Sequence, residues 1–367
     1  MDLISGRYPL VIVVGSGGVG KTTLAAALGV LSAREGRDTL VMTFDPSLRL
    51  KQALGVGEEA KLREVPVALK APGTLHASLL DARQTFDRLI ERYAPDEESR
   101  RRVLDNRFYQ HLSGSLGGIL EYMAVERLFE VAADGRYAQV VLDTPPTRQA
   151  LDFLEAPSRI VGFLDSGALR VALKPWFDEA GRLKATSRWG ALGRRAERFL
   201  DEVVGMDLLR DMAEFFQAFN PLFEGFRRRA SQVEEMLRSP RTLFVLVSGA
   251  GEERIPDTLF FARRLEEAGY HLGPIVVNRA HPRFVVEGTP PHSPDPCRPS
   301  GWDLLAWAGE RDRRGLIELA KLLSREQPLV DLPLLPEEPT DLASLEALGR
   351  QLDARLAEWE RYVSRTS

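Results

Sequence analysis

The residues whose types and spacing point most directly to chemistry lie near the start of the sequence. Residues 15–22 read Gly-Ser-Gly-Gly-Val-Gly-Lys-Thr and fit GxxxxGK[ST], a loop whose glycines let successive backbone N–H groups point at phosphate oxygens. The pattern predicts that Lys21 reaches the β- and γ-phosphates of a nucleotide and that Thr22 places its hydroxyl on Mg²⁺. The residues expected to bind the nucleotide here are Gly17, Gly18, Val19, Gly20, Lys21, Thr22 and Thr23.

A strand and a helix must hold this loop in place. Leu10–Val14 is a continuous apolar run typical of a central parallel strand, and residues 21–34 read as a helix closed by Gly36. A second strand from about Thr39 to Phe44 completes a βαβ unit. A chance match in a glycine-rich turn would lack this context, so the context favours a functional phosphate loop.

Two aspartates end buried strands further along the chain. Asp45 ends the second strand, and Asp143 follows the apolar run over 138–142. Because ligands of doubly wound sheets bind outside the carboxyl ends of the strands, both carboxylates are predicted to lie near the phosphates. Asp143 suits a Walker B role, holding Mg²⁺ directly or through water, and Asp45 suits the orientation or deprotonation of the attacking water. The alternative for each is an aspartate that caps a turn.

The rest of the chain alternates between strand and helix patterns, which predicts an α/β fold with a doubly wound, mostly parallel sheet. Further strands are predicted at about 75–80, 242–247, 274–277 and 329–332, and a last helix at about 341–362. Helical patterns interrupt the alternation at about 84–135 and 157–238. We interpret them as a helical subdomain inserted into a single domain of residues 1–367. A Pro- and His-rich loop over 280–301 is the least structured part.

Composition narrows the class of protein. A chain of 367 residues with 44% apolar residues can bury a large core, and a net charge of −4 gives no general attraction to nucleic acid. No run reaches the roughly 18 to 20 apolar residues that a membrane helix needs, and no signal-peptide pattern opens the chain. The single cysteine, Cys297, allows no intrachain disulfide. We therefore expect a cytoplasmic protein without an integral membrane segment.

Taken in order, these motifs resemble the ArsA family of P-loop ATPases. That family includes the arsenite-pump ATPase and the ATPase that targets tail-anchored membrane proteins, and it belongs with the MinD-like, SIMIBI-type proteins that have a deviant Walker A loop. The matching segments are the phosphate loop at 17–23, a first switch at 44–47, the Gly-x-x-Glu pattern of Gly118 and Glu121, and a second switch at 143–147. The resemblance implies ATP and Mg²⁺ as ligands, with Asp45 and Lys21 as catalytic residues.

The resemblance also implies how the base is held and with what the chain assembles. Asn278 stands where the family uses an asparagine to read the adenine edge, and residues 334–338 resemble its adenine loop, with Pro336 and Glu337 as contacts. No NKxD motif for guanine occurs. A dimer that closes on ATP and opens after hydrolysis is implied, either a homodimer or a heterodimer with a related ATPase. A hydrophobic client or membrane-protein segment is the implied partner.

Three departures from the family pattern matter. Ser16 replaces a lysine that reaches the partner's phosphates, so another residue substitutes, a partner supplies the lysine, or hydrolysis is slow. Leu48 and Arg49 stand where the first switch commonly has His-Ser; Arg49 is either a replacement cation or a solvated arginine. One cysteine cannot build the thiolate site of the arsenite pump or the zinc-linked CxxC pairs of the targeting ATPase.

One apolar helical stripe is a hypothetical client surface. Apolar side chains recur every three to four residues at Leu208, Leu209, Met212, Phe215, Phe216 and Phe219, a pattern that also fits ordinary core packing.

Three functions stay open: an ATP-hydrolysing switch, a regulatory ATP-binding subunit that needs a lysine-bearing paralogue, and a small-molecule kinase, which the switch motifs disfavour. His281, His292 and Cys297 form only a weak metal set, and residues 227–229 read as a solvated helix face.

Overall fold

The computed structural model describes residues 3, 6–43, 48–61, 63–94, 96–107, 109, 119–145, 150, 154–159, 162, 211, 223–282 and 301–366. Its contacts divide the chain into two compact units. The first comprises Met1–Leu80, Glu130–Leu151 and Met236–Ser367, and the second comprises Asp81–Phe129 and Asp152–Glu235. Among the described helices, none combines the length and apolarity needed to cross a membrane.

The first unit contains a sheet of eight strands in the described part of the chain. The strands are β1 Leu10–Gly15, β2 Thr39–Thr43, β3 Val65–Pro66, β4 Leu75–Leu79, β5 Gln139–Asp143, β6 Thr242–Gly249, β7 Leu272–Ala280 and β8 Leu329–Pro333. Their order is β3-β4-β2-β5-β1-β6-β7-β8, and every pair is parallel except β3 with β4. The predicted α/β class with a doubly wound, mostly parallel sheet is confirmed.

Nine α-helices occur in the described part of the chain. They are α1 Lys21–Arg34, α2 Leu48–Leu54, α3 Ala82–Tyr93, α4 Glu97–Leu104, α5 Ile119–Asp134, α6 Phe223–Arg238, α7 Ile255–Glu267, α8 Gly301–Leu322 and α9 Leu342–Thr366. The sequence patterns assigned no element to the 22 residues of α8. Its first turns carry four large apolar side chains that are exposed and, at about 100° per residue, point to different sides of the helix: Trp302, Leu304, Leu305 and Trp307.

Close packing fixes α1, the helix that follows the phosphate loop. Most of its residues are buried, and its middle lies so near the sheet that a Cβ on Gly29 would be 2.1 Å from Cγ2 of Val41. On another side, a Cβ on Gly349 of α9 would lie 2.8 Å from the backbone oxygen of Ala27. Interiors this dense transmit displacement instead of absorbing it, so α1 is held rigidly between β2 and α9.

The second unit is helical in its described residues and contains a buried ion pair. Glu126 of α5 has no exposed surface, and Nε of Arg229 donates to its Oε1 at 2.5 Å. Tyr122 donates to the other carboxylate oxygen at 3.2 Å, and the Arg229 guanidinium lies 4.1 Å from the ring centroid of Phe129. Arg227 and Arg228 are exposed, but Arg229 is not part of a solvated face.

Candidate nucleotide-binding site

The phosphate loop connects the end of β1 to the start of α1, and its backbone shape requires glycine. A Cβ on Gly15 would lie 2.0 Å from the backbone oxygen of Val247, and Gly20 takes a left-handed conformation, with φ of 94°, just before Lys21. Because the first N–H groups of a helix have no partner within the helix, the start of α1 presents donors and a positive dipole end to an anion. The other predicted nucleotide-binding residues of this stretch are Gly17, Gly18, Val19, Thr22 and Thr23.

The ammonium of Lys21 is held at the loop. Its side chain is only 7% exposed, and Nζ donates to the backbone oxygen of Ser16 at 2.9 Å. The cation therefore lies over the turn into which a phosphate would bind. Ser16 contributes its backbone carbonyl group to this contact and no positive charge.

Asp143 ends β5 and collects two hydroxyl donors at one carboxylate oxygen. Thr22 of α1 donates to Oδ2 at 2.6 Å, and Thr43 at the end of β2 donates to the same atom at 2.8 Å. The carboxylate is 1% exposed, and strand register places Asp143 beside Val13 on one side and Thr43 on the other. Two donors on one oxygen fix the orientation of the carboxylate. Thr43 was not predicted from the sequence.

The Thr22–Asp143 pair has the donor chemistry that Mg²⁺ requires. A hydroxyl and a carboxylate oxygen lie 2.6 Å apart beside the phosphate loop, and both are hard oxygen ligands. Mg²⁺ usually takes one or two protein oxygens, keeps several waters and uses substrate phosphates for the rest. When bound, the ion would neutralise charge on the phosphate oxygens during transfer. The two residues fit the predicted metal role.

The start of the second switch is anchored to β1. Thr144 donates through both its hydroxyl and its backbone N–H to the carbonyl oxygen of Val13, at 2.8 Å and 3.2 Å. Thr144 and Pro145 are both buried. These contacts fix where the chain leaves β5, directly after Asp143.

Asn278 ties β7 to the phosphate loop. Its Nδ2 donates to the backbone oxygen of Val19 at 2.8 Å, and a Cβ on Gly20 would lie 2.4 Å from that nitrogen. The residue pairs in register with Gly249 at the end of β6. The amide nitrogen of Asn278 is thereby committed to the phosphate loop.

The segment after β8 is linked to the phosphate loop by Arg279, which contacts both. Pro336 and Glu337 are exposed, and the next residue, Glu338, forms a 2.7 Å ion pair with Arg279. Arg279 follows Asn278, and its Nη1 lies 3.5 Å from the backbone oxygen of Gly18. Neither Arg279 nor its contact with Glu338 was predicted, although Glu338 lies in the segment that resembles an adenine loop.

Several predicted residues lie outside the described part of the chain. These are the first switch with Asp45, the side chains of Leu48, Arg49 and Glu121, residue Gly118, the end of the second switch, and the client stripe over 208–219 apart from residue 211. The structure thus brings Lys21, Thr22, Asp143 and Asn278 together around the phosphate loop, at the carboxyl ends of β1, β5 and β7. Asp45 stays a prediction.

His281, one of the three residues of the weak metal set, contacts Asp312. Its Nδ1 lies 2.7 Å from Oδ2 of Asp312, and its backbone N–H donates to that oxygen at 3.0 Å. Burial would raise the pKa of Asp312, but the bonds from His281 and Arg311 lower it below its usual value. His292 and Cys297 lie outside the described residues.

Sequence comparisons agree with the motifs. The profile of a family described as anion-transporting ATPase matches residues 8–353. A putative arsenical pump-driving ATPase of Halobacterium salinarum is 27% identical over 277 residues, which cover 70% of this chain and 38% of that protein. ATPase GET3 of Malassezia globosa is 32% identical over 146 residues, covering 39% of this chain and 41% of that protein.

A longer alignment links the chain to a bacterial relative. A putative arsenical pump-driving ATPase 1 of Aquifex aeolicus is 22% identical over 351 residues, or 93% of this chain and 78% of that protein. In contrast, the aligned region spans less than half the length of the relatives from Halobacterium and Malassezia. The family profile nevertheless covers nearly the whole chain, together with a parallel sheet and a phosphate loop of the expected kind. This chain belongs to the ArsA family of anion-transporting ATPases.

Proposed function

We propose that this protein is an ATP-hydrolysing switch whose site is built from Lys21, Thr22 and Asp143. The observation that carries the proposal is the 2.6 Å hydrogen bond between the Thr22 hydroxyl and Asp143, which joins two hard oxygen groups of the kind that Mg²⁺ prefers beside a phosphate loop. Family membership supports ATP as the substrate. Asn278, Pro336 and Glu337 are proposed to hold the adenine.

In this mechanism the phosphate loop binds the nucleotide before hydrolysis begins. Backbone N–H groups of residues 17–22 and the start of α1 bind the phosphate oxygens. Lys21 exchanges its bond to the Ser16 carbonyl for one to the β- and γ-phosphates. Asp45, by its resemblance to the family's first switch, orients the attacking water or takes its proton. Thr43 holds the carboxylate of Asp143 in place by donating to its Oδ2.

We propose that hydrolysis drives a dimer between closed and open forms and that the output acts on a partner or a hydrophobic client. Two of the relatives are named for driving an arsenical pump and one is named GET3. Cys297 is the single cysteine, and one thiol cannot supply the set of thiolates that a metalloid cargo would require. A protein partner or client is therefore the proposed target of the switch.

A second candidate is a regulatory subunit that binds ATP but needs a lysine-bearing paralogue to hydrolyse it. Ser16 favours this alternative, because a serine side chain cannot place a second cation at the phosphates. Under this reading the isolated chain binds ATP and turns it over very slowly. Adding the paralogue would raise turnover sharply.

The test is Mg-ATP hydrolysis by the purified chain, with oligomeric state followed by light scattering. Lys21→Ala and Asp45→Asn should each lower turnover at least about 100-fold, as expected for groups that act on transition-state charge or the nucleophile. Arg101→Ala, at an exposed ion pair on α4, is the control for a lost positive charge. ATP-driven dimerisation with turnover supports the switch; ATP binding without turnover supports the regulatory alternative; no nucleotide binding contradicts both.

A further inference from the structure

Arg279 has an unusual backbone for a large side chain. Its φ angle is +61°, and no other non-glycine residue in the described part of the chain has a positive φ. Left-handed backbone is uncommon outside glycine, asparagine and aspartate, and it persists where surrounding contacts enforce it, often beside ligands. The position directly follows Asn278, at the end of β7 that faces the phosphate loop.

Its guanidinium lies between two segments already assigned to the nucleotide. Nη1 is 3.5 Å from the backbone oxygen of Gly18 in the phosphate loop, and Nη2 is 2.7 Å from Oε1 of Glu338 after β8. The side chain is 40% exposed, so a ligand can reach it. The guanidinium and the Asn278 amide therefore contact adjacent residues of the phosphate loop, Gly18 and Val19, and the guanidinium also pairs with the predicted adenine loop.

The charge arrangement separates two roles for this arginine. A cation that binds phosphate would be expected to lack an anionic partner, whereas the Arg279 guanidinium is paired with the Glu338 carboxylate. A paired guanidinium still has a flat face, and guanidinium groups stack on aromatic rings. The geometry thus favours contact with the base over contact with the phosphates.

We infer that Arg279 binds the face of the nucleotide base and that Glu338 holds the guanidinium in position. This rests on the proposed function, because it assumes that the loop takes a nucleotide. Asn278 would read the base edge and so discriminate between bases. Arg279 would add affinity for either purine, since stacking tolerates different bases.

The test compares three ligands by isothermal titration calorimetry: ADP, GDP and inorganic pyrophosphate. Arg279→Ala should weaken ADP binding about 3- to 30-fold, the range for cation–π contacts from exposed to desolvated sites, and weaken GDP by a similar factor. Pyrophosphate binding should not change. Arg279→Lys keeps the charge but removes the planar face, so it should lose most of the same affinity. Glu338→Gln should give a smaller loss for both nucleotides.

Two further variants control for backbone strain at the positive φ and for the loss of an exposed, ion-paired arginine. Arg279→Gly removes the side chain and suits the positive φ, so it should bind the three ligands as the alanine variant does. Arg101→Ala removes another exposed, ion-paired arginine and should leave all three affinities unchanged.

The outcomes separate the two proposals. Equal losses for ADP and pyrophosphate would overturn the inference in favour of a phosphate-binding cation, and unchanged ADP binding in the alanine and glycine variants would overturn it outright. If the folded wild-type chain binds pyrophosphate and neither nucleotide, the proposed ATP site itself is wrong, and the role of Arg279 falls with it.

Discussion

The hydroxyl of Thr22 donates a 2.6 Å hydrogen bond to Asp143, a residue 121 positions further along the chain. The bond joins the first turn of α1 to the end of β5, the strand beside β1 in the sheet. A second hydroxyl, from Thr43, reaches the same carboxylate oxygen at 2.8 Å from β2 on the opposite side. The carboxylate is therefore oriented by groups from two elements before a metal or nucleotide is considered.

Removing the Thr43 hydroxyl should weaken the magnesium site without removing a ligand. We expect Thr43→Ala to raise the Mg²⁺ concentration for half-maximal ATP hydrolysis about 10- to 100-fold, as for other partners that orient a metal ligand. Turnover measured across a Mg²⁺ titration checks this. Thr74→Ala, which breaks a surface bond to Asp38, is the matched control. Equal magnesium requirements in the two variants would contradict the role of Thr43.

Gly29 should be intolerant of a substitution that normally favours helices. Gly→Ala in a helix interior usually stabilises by about 1 kcal/mol, but here the new Cβ would lie 2.1 Å from Cγ2 of Val41. We expect Gly29→Ala to lower the free energy of unfolding by about 1–3 kcal/mol, as for other overpacked cores. Urea unfolding measures this. If the overlap is the cause, the same substitution costs less in a Val41→Ala background.

The buried pair of Glu126 and Arg229 should matter more than any exposed pair in the same unit. Glu126→Ala leaves a mostly buried guanidinium without its carboxylate, which should cost about 3–5 kcal/mol in unfolding free energy. The exposed pair of Glu97 and Arg101 provides the control, where Glu97→Ala should cost no more than about 1 kcal/mol. Comparable losses in urea unfolding of the two variants would show that burial of the pair adds nothing.

Asp312 should make stability fall in acid. Its folded pKa is below the ordinary value of 3.8, so its contribution is complete above about pH 3.8 and is lost as the pH falls through the folded pKa. Unfolding free energies at pH 5 and pH 3 should differ less for Asp312→Asn than for the wild type. Asp257→Asn, an exposed aspartate on α7, serves as the comparison. A wild-type slope retained by Asp312→Asn would rule out this source of acid sensitivity.

The sequence was sufficient where the determinants are local. The strand before Gly15, the loop and α1 follow from one continuous stretch, and Asp143 is visible because it ends an apolar run. Thr43 was missed because its role depends on the register of β2 against β5, which joins residues 100 positions apart. Arg279 was missed for a related reason, because its importance rests on a backbone angle and on Glu338, 59 positions away.

The helix α8 shows a different limit. A core-facing helix is found through one apolar stripe, but the apolar residues of its first turns are spread around the helix and exposed. The Pro-rich segment before it also suggested continued loop. Its buried residues, Gly309, Asp312, Gly315 and Leu319, include two glycines and an aspartate, which hydropathy does not mark as core. Only the packed structure distinguishes them.

The phosphate loop is fastened on both sides of β1, through Thr22 to β5 and through Asn278 to β7. A loop held in this way takes its structure when the domain folds, so the phosphate-binding site is preformed before the ligand binds. Association should then be limited by diffusion and desolvation, without a slow conformational phase at the loop. Because the N–H groups of residues 17–22 are the proposed donors to phosphate, their amide protons should exchange with deuterium more slowly in the nucleotide-bound protein than in the nucleotide-free protein. Release of product should depend on the switches instead of on the cradle.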